Sequence, residues 1–543
     1  MQLPLLPRAP RGKPLRMLTA LPTQTPQIWQ PPPRHLWPDL PLHRAPGLNA
    51  GHVRGRAWLH NPYGHQAFAV VSPRAWQLWT HADGRTLGDI LAETPELNSP
   101  HLERDLQVLW RNGFVQTPGV QVQGNIVKTQ RVFNAWLHLT NACNLACPYC
   151  YIHKSSNHME GHVSQKTLDA LEETARAGQV DRIHVRFAGG EPMLRFPQLQ
   201  AYFLEAVERC ARHGVQFSAA ILTNGTVVPK NAPEWLIQHG ISLSISIDGV
   251  DDMQNVMRPV KGGGASFERL QAGLAQYLAA GIRPYVLITV GESNLAGIPD
   301  LTQWLLEQGL GFRFSLVRDL EWGKGQMDDR HGAELAEAGQ VGMLQGENLA
   351  RVQRTFAEAY ARVEAHMLAE HAAGRRPRVS FRQTHKFCDL ELWRPITQAC
   401  GAGKSYVAIS EKGELSPCQA ALHHPGTQPI RPESLLKQAR EQTQFLPFER
   451  KTLNADCAKC QFRPSCAGGC PLLLYRREGH VDGRSPYCEV FRAVIPTILR
   501  LSALEMVLAR SNENAGAHPV HGQPGPHPGA LRHPSPVRNG RGD

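Results

Sequence analysis

Residues 139–151 read LTNACNLACPYCY, which puts thiols at Cys143, Cys147 and Cys150. A closed structural metal site uses four protein ligands, whereas a reactive site leaves one position open. Three thiolates around an iron–sulfur cubane leave one iron without a protein ligand. The C-x-x-x-C-x-x-C spacing follows an apolar, strand-length run, VFNAWLHL, so the cysteines belong to the loop that leaves a strand.

Outward from that strand, RIHVRFA, QFSAAILT, SLSISI, PYVLITV and FRFSLV are further strand-length runs. Helical segments such as SQKTLDALEETARAG, LQAYFLEAVERCARHG and SFERLQAGLAQYLAAG separate them, with Gly178, Gly214 and Gly281 as stop signals. Repeated β–α alternation with buried strands predicts a parallel sheet with helices outside. Six such units within residues 131–370 predict an α/β fold, a partial (β/α)6 TIM-like barrel. Its reactive groups are expected at the C-terminal ends of the strands.

Four strand ends carry further polar or glycine-rich signals: FAGGEP after the second, LTNGT after the third, SISIDG after the fourth, and the cysteine loop after the first. Together they resemble the radical S-adenosylmethionine (SAM) enzymes. The resemblance implies a [4Fe–4S] cluster on Cys143, Cys147 and Cys150 whose open iron is chelated by SAM, which is cleaved reductively to a 5′-deoxyadenosyl radical. It implies SAM contacts from Gly189, Gly190, Glu191 and Pro192, the two glycines letting backbone carbonyls approach an ammonium group. Thr223, Asn224, Ser244, Ser246 and Asp248 suit the ribose and carboxylate, Tyr149 and Tyr151 the adenine. Arg258 and the GGGASF loop at 262–267 resemble the peptide-modifying branch. A structural zinc or iron–sulfur loop without catalysis is the alternative.

Eight of the 12 cysteines lie beyond residue 385. Their spacing over 385–495 resembles the SPASM domain, which implies two auxiliary [4Fe–4S] clusters. One would be held by Cys457, Cys460, Cys466 and Cys488, the other by Cys400, Cys418 and Cys470 with Cys388 as the candidate fourth ligand. A pair of zinc ribbons is the alternative here. Auxiliary clusters give a substrate radical somewhere to deliver its electron. Cys210 falls inside an amphipathic helix and is expected to be a small core residue. Residue 419, directly after Cys418, is Gln, where sulfatase-maturing relatives carry an Asp as base; an amide takes no proton at neutral pH.

Residues 51–120 predict a small winged-helix-like domain: a strand in QAFAVVS, a helix in PRAWQLWTHA, a turn at Asp83-Gly84, two helices, and a last strand in FVQT. The pattern resembles the PqqD-like RiPP recognition element, which implies binding of a precursor peptide by strand addition. DNA binding and a purely structural cap are the alternatives. Residues 1–50 carry 12 prolines and 513–543 almost no large apolar groups, so both are expected to be disordered.

The formal charge of +11 invites a nucleic-acid reading, yet no dense Lys/Arg stripe crosses the core, so neither nucleic acid nor membrane is expected as partner. No apolar run reaches membrane-span length and the N-terminus lacks a continuous apolar h-region with a small-residue cleavage site, which predicts a cytoplasmic protein. The function these features imply is a radical SAM/SPASM peptide maturase. It would abstract hydrogen from a ribosomally made precursor, form a thioether or carbon–carbon crosslink, and draw electrons from a flavodoxin- or ferredoxin-type reductant. Formylglycine formation, dehydrogenation of a small molecule, and a non-enzymatic electron carrier or peptide-binding module are the competing readings.

Overall fold

The computed structural model describes residues 27–29, 34–45, 47–117, 122–124, 131–318, 344, 348–422, 426–441 and 454–514. The proline-rich lead up to residue 26 and the tail from 515 lie outside the described residues.

Six strands form the centre of the molecule: β1 (Val132–Thr140), β2 (Arg182–Gly189), β3 (Gln216–Thr223), β4 (Ser242–Ser246), β5 (Tyr285–Val290) and β6 (Phe312–Leu316). They are parallel and neighbour one another in chain order. The helices between them are α1 (Gly161–Arg176), α2 (Phe196–Ala211), α3 (Ala232–Gln238), α4 (Ser266–Ala279) and α5 (Ile298–Gln308). Side chains alternate between two faces of a strand. Phe133, Ala135 and Leu137 of β1, and Ile183, Val185 and Phe187 of β2, are buried in the main core. The intervening Asn134, Trp136, Arg182, His184 and Arg186 line an interior cavity instead. Only one face of these strands is therefore apolar, and the barrel lumen is open rather than packed.

The cysteine-rich region extends this sheet at both edges. β7 (Lys386–Phe387) runs parallel beside β6, and β8 (Tyr406–Ile409) parallel beside β1. Two antiparallel strands, β9 (Glu414–Ser416) and β10 (Gln428–Pro429), continue from β8. Two long helices, α6 (Asn348–Ala372) and α7 (Cys488–Asn514), pack on each other, and α6 also packs on α5.

The N-terminal unit starts earlier than its sequence suggests. A short 3-10 helix at Arg34–Asp39 and a strand at Pro41–Arg44 precede residue 51. Trp37 sits 5.1 Å from Trp110, and Leu42 is fully buried. These apolar anchors override the proline-rich composition, and Pro41 takes the first position of its strand, where the missing N–H is tolerated. Strands Asn49–Val53, Arg56–His60 and Phe68–Val71 form an antiparallel meander. Helices Pro73–Thr80, Leu87–Glu93 and Leu102–Arg111 follow. Residues Asp83–Thr86, read from sequence as a turn, form a strand beside Pro41–Arg44, which also pairs with Val115–Gln116. Ser72 caps the first helix, accepting from the Ala75 N–H at 3.0 Å.

The meander joins two cores. Ala57, Leu59, Ala69 and Val71 face the unit's own helices, while Val53, Trp58 and Phe68 belong to the main core. α7 packs across the meander. His60 is fully buried, with Nδ1 3.1 Å from Asn49 Nδ2 and Nε2 2.6 Å from the Leu392 carbonyl.

Burial pushes the His60 imidazole down from 6.5 to about 4, so the folded state holds it neutral. Between those values the unfolded chain binds the proton more tightly, so stability falls as pH drops through the window and is unaffected above it. At about 1.4 kcal/mol per pH unit this amounts to about 3 kcal/mol. Urea midpoints at pH 7.5, 5.5 and 4.5 should decline for the wild type and decline less for His60→Gln; parallel profiles contradict the assignment.

Candidate active site

The loop after β1 is held from two sides. The Ala146 N–H donates to the Pro259 carbonyl at 2.7 Å, and the Lys261 N–H to the Asn144 carbonyl at 2.9 Å. On the other side Asn224 Nδ2 donates to Asn144 Oδ1 at 2.8 Å, and Asn144 Nδ2 to Thr226 Oγ1 at 2.7 Å. Cys143 Sγ accepts from the Leu145 N–H at 3.4 Å and lies 3.9 Å from Asn224 Nδ2. Burial raises the Cys143 thiol and pushes Cys147 up to about 11, opposed by the charges of Lys154 and Arg258. Those two cations favour the thiolate, the form that ligates metal. Lys154 is placed by donating to the Leu145 carbonyl at 2.5 Å and carried no signal in the sequence.

The two glycines after β2 answer a packing demand. A Cβ on Gly190 would stand 2.1 Å from the Ala142 carbonyl oxygen, and one on Gly189 2.2 Å from that of Thr140. The contact closes through the Gly190 N–H to Thr140 O at 2.7 Å and the Glu191 N–H to Ala142 O at 2.8 Å. Glu191 is fully buried, and both its oxygens are engaged. Oε1 accepts from the Met193 N–H at 3.0 Å and Thr223 Oγ1 at 2.7 Å; Oε2 accepts from the Asn224 N–H at 2.8 Å. Burial lifts its carboxyl to about 7 against the pull of these donors. Glu191 therefore ties the end of β2 to the end of β3.

Asp248 is likewise turned inward. Its carboxylate accepts from Tyr149 Oη, from Arg258 Nε at 2.7 Å and from the Thr289 N–H at 2.7 Å. The Arg258 guanidinium lies 5.5 Å from the Tyr149 ring centroid. Burial alone would lower the Arg258 pKa, but Asp248, Tyr149 and Cys147 together raise it. Gly189, Gly190, Thr223, Asn224, Ser244, Ser246, Tyr149, Tyr151, Arg258 and the three loop cysteines all line one cavity. Glu191, Pro192 and Asp248 are buried behind its wall.

The same cavity, about 2400 Å³, is bounded elsewhere by Cys400, Cys418 and Cys470. Arg318, which pairs with Asp389, feels the charges of Cys470, Cys418 and Cys388. Tyr406 Oη donates to Gln419 Oε1 at 2.6 Å beside Cys418. Cys388 is buried, with its N–H donating to the Phe314 carbonyl at 2.6 Å, and shares a small separate cavity with Cys466 and Cys470. Cys488 opens α7, and Arg492, one turn on, reaches both Cys488 and Cys460. Cys457 lies in the short helix Ala455–Ala458. Cys210 is fully buried in α2.

Among the described residues no three His, Cys, Asp or Glu side chains stand close enough to share a single metal ion. The three-thiol loop, the two nearby cations and the glycine-walled space beside it fit an iron–sulfur cluster with a small organic partner. Replacing Asp248 by Ala leaves the Arg258 charge buried without its partner. A loss of about 3–5 kcal/mol is expected on chemical denaturation, with Asp248→Asn costing less because it keeps a hydrogen-bond acceptor.

Residues 137–305 match the family described as the radical SAM superfamily. The chain is 29% identical over 175 residues to the Fe-coproporphyrin III synthase of Methanosarcina barkeri, covering 32% of this chain and 40% of that one. It is 25% identical over 366 residues to the PqqA peptide cyclase of Granulibacter bethesdensis, covering 64% and 85%. A solved structure described as native anSMEcpe with bound AdoMet and Cp18Cys peptide superimposes with a TM-score of 0.52 at 16% identity, covering 70% of this chain and 99% of that one. Among the described residues no helix is long and apolar enough to cross a membrane. The chain thus carries a radical SAM domain over residues 137–305 and is an enzyme.

Proposed function

We propose that this enzyme modifies a ribosomally made peptide by radical chemistry. The observation that carries the reading is the single cavity of about 2400 Å³ that reaches from Cys143, Cys147 and Cys150 to Cys400, Cys418 and Cys470. Pockets for drug-sized ligands occupy roughly 300–1,000 Å³, so this space admits a polypeptide segment. Similarity to the PqqA peptide cyclase and to a fold solved with a bound peptide agrees with it.

A [4Fe–4S] cluster and SAM, bound at the mouth, would supply a radical that takes a hydrogen atom from an unactivated carbon. Cys143, Cys147 and Cys150 would hold that cluster, with Lys154 favouring the thiolate of Cys143 and Arg258 and Lys154 that of Cys147. Gly189 and Gly190 keep the adjoining wall free of side chains, and Thr223, Asn224, Ser244 and Ser246 offer polar groups along it. Cys400, Cys418 and Cys470, with Cys388, would hold one auxiliary cluster, and Cys457, Cys460, Cys466 and Cys488 the other. These groups would take the electron that a substrate radical must lose. An external flavodoxin- or ferredoxin-type protein would supply the priming electron.

The N-terminal unit would serve as the leader-peptide domain, adding the peptide as a strand to a sheet edge. Formylglycine formation is disfavoured by Gln419, whose amide accepts from Tyr406 and takes no proton. A porphyrin-type substrate is the second reading, favoured by similarity to the coproporphyrin synthase; it leaves the N-terminal unit without a role.

Cys143→Ala, Cys147→Ala and Cys150→Ala should each abolish 5′-deoxyadenosine formation under reduction, and iron after anaerobic reconstitution should fall from about twelve to about eight per chain. Normal cleavage in any of them excludes the cluster assignment. Mass spectrometry of a small peptide encoded beside this chain and co-expressed with it should show the loss of two hydrogens. An unmodified peptide that nonetheless binds the enzyme speaks against the reaction.

A further inference from the structure

The open lumen carries charges that the chemistry at its mouth does not use. On β2, Arg182, His184 and Arg186 occupy successive inward positions, and on β6 and β7 Arg313 and Lys386 are register partners. All five side chains line the cavity. Arg186 donates to a neutral acceptor, Asn134 Oδ1, at 3.1 Å. Arg313 donates to Asp389 at 2.7 Å, but that carboxylate is shared with Arg318, and the buried Arg313 Nε has no partner. Lys386 is exposed to the cavity and attracted by Glu391. Among the described residues no carboxylate forms an ion pair with Arg186 or Lys386.

The excess is felt by its neighbours. Burial, reinforced by Arg186 and Arg182, pushes His184 down to about 3, so it stays neutral and bonds Ser218 Oγ at 2.9 Å. Burial lowers Arg186 and Lys386 as well, and Arg313 repels both. Arg186 and Lys386, turned into this space without a carboxylate partner, are costly there unless an anion joins them. Two planar guanidinium forks and an ammonium suit a carboxylate, which accepts paired N–H donors.

Building on the reading of a substrate that enters this cavity, we propose that Arg186, Arg313 and Lys386 form a subsite for a substrate carboxylate. Arg186 lies four residues before Gly190, which follows the end of β2, about 13 Å at ~3.3 Å per residue. An extended chain covers that distance in about four residues. An acidic residue of a peptide substrate would supply that carboxylate. A porphyrin propionate is the other source of the same group.

The test is calorimetric binding to the anaerobically reconstituted holoenzyme, using acetyl-Gly-Glu-Gly-amide, its Gln counterpart, coproporphyrin III and inorganic phosphate. The Glu peptide is expected to bind at least tenfold more tightly than the Gln peptide. Arg186→Gln and Lys386→Met should each reduce that preference at least threefold, and Arg186→Lys should keep most of it, with near-ultraviolet circular dichroism reporting the fold. Equal affinity for the two peptides, with porphyrin binding indifferent to the substitutions, overturns the subsite. So does a Glu preference that survives both Arg186→Gln and Lys386→Met. Phosphate binding as tight as the Glu peptide overturns its assignment to carboxylates. Porphyrin binding that depends on Arg186 and Lys386, with both peptides inert, supports the subsite and overturns the peptide reading instead.

Discussion

The site rests on the near-contact between two backbone segments, Thr140–Ala142 leaving β1 and Gly189–Glu191 leaving β2. Two hydrogen bonds close it, and there is no room for a Cβ at either glycine. Once this contact is made, Glu191 faces β3 and captures Thr223 and the Asn224 N–H. Asn224 then holds Asn144, in the middle of the cysteine loop. The loop is thus fixed by consecutive strand ends, each of which needs the one before it. Buried, fully satisfied polar groups of this kind define a single geometry, whereas half-satisfied ones would destabilise it.

The opposite wall follows the same logic with a charge pair. Asp248 gathers Tyr149, Arg258 and the Thr289 N–H, and the chain after Arg258 supplies the carbonyl of Pro259 to the loop. Arg258 serves two anions, Asp248 permanently and the Cys147 thiolate when it forms. Removing its proton is not an available response to burial, so the pair must stay intact.

Much of this architecture was legible in the primary structure because it is local. The strand runs, the helix stops and the thiol spacing all reflect short-range periodicity, and the parallel sheet in chain order follows from them. What escaped was set by distant partners. Composition suggested a formless lead, but Trp37 and Leu42 find partners tens of residues away. Asp83-Gly84 looked like a turn because the strand it pairs with, Pro41–Arg44, lay inside that lead. Motif resemblance singled out Glu191 and Asp248 but could not show their internal partners, Thr223 and Asn224 for one and Arg258 and Tyr149 for the other. The inward row Arg182, His184, Arg186 was visible as alternation in RIHVRFA, a signal of an open interior that the apolar neighbours masked.

The shared face of the first unit has a consequence for biogenesis. Val53, Trp58 and Phe68 complete their packing only against Trp393 and α7, the last helix described. At about 5–20 residues per second, a ribosome needs roughly 20–90 s to travel from Phe68 to the end of that helix. Throughout that interval the nascent N-terminal unit carries a naked aromatic face. The order of the chain therefore leaves that face to be covered last.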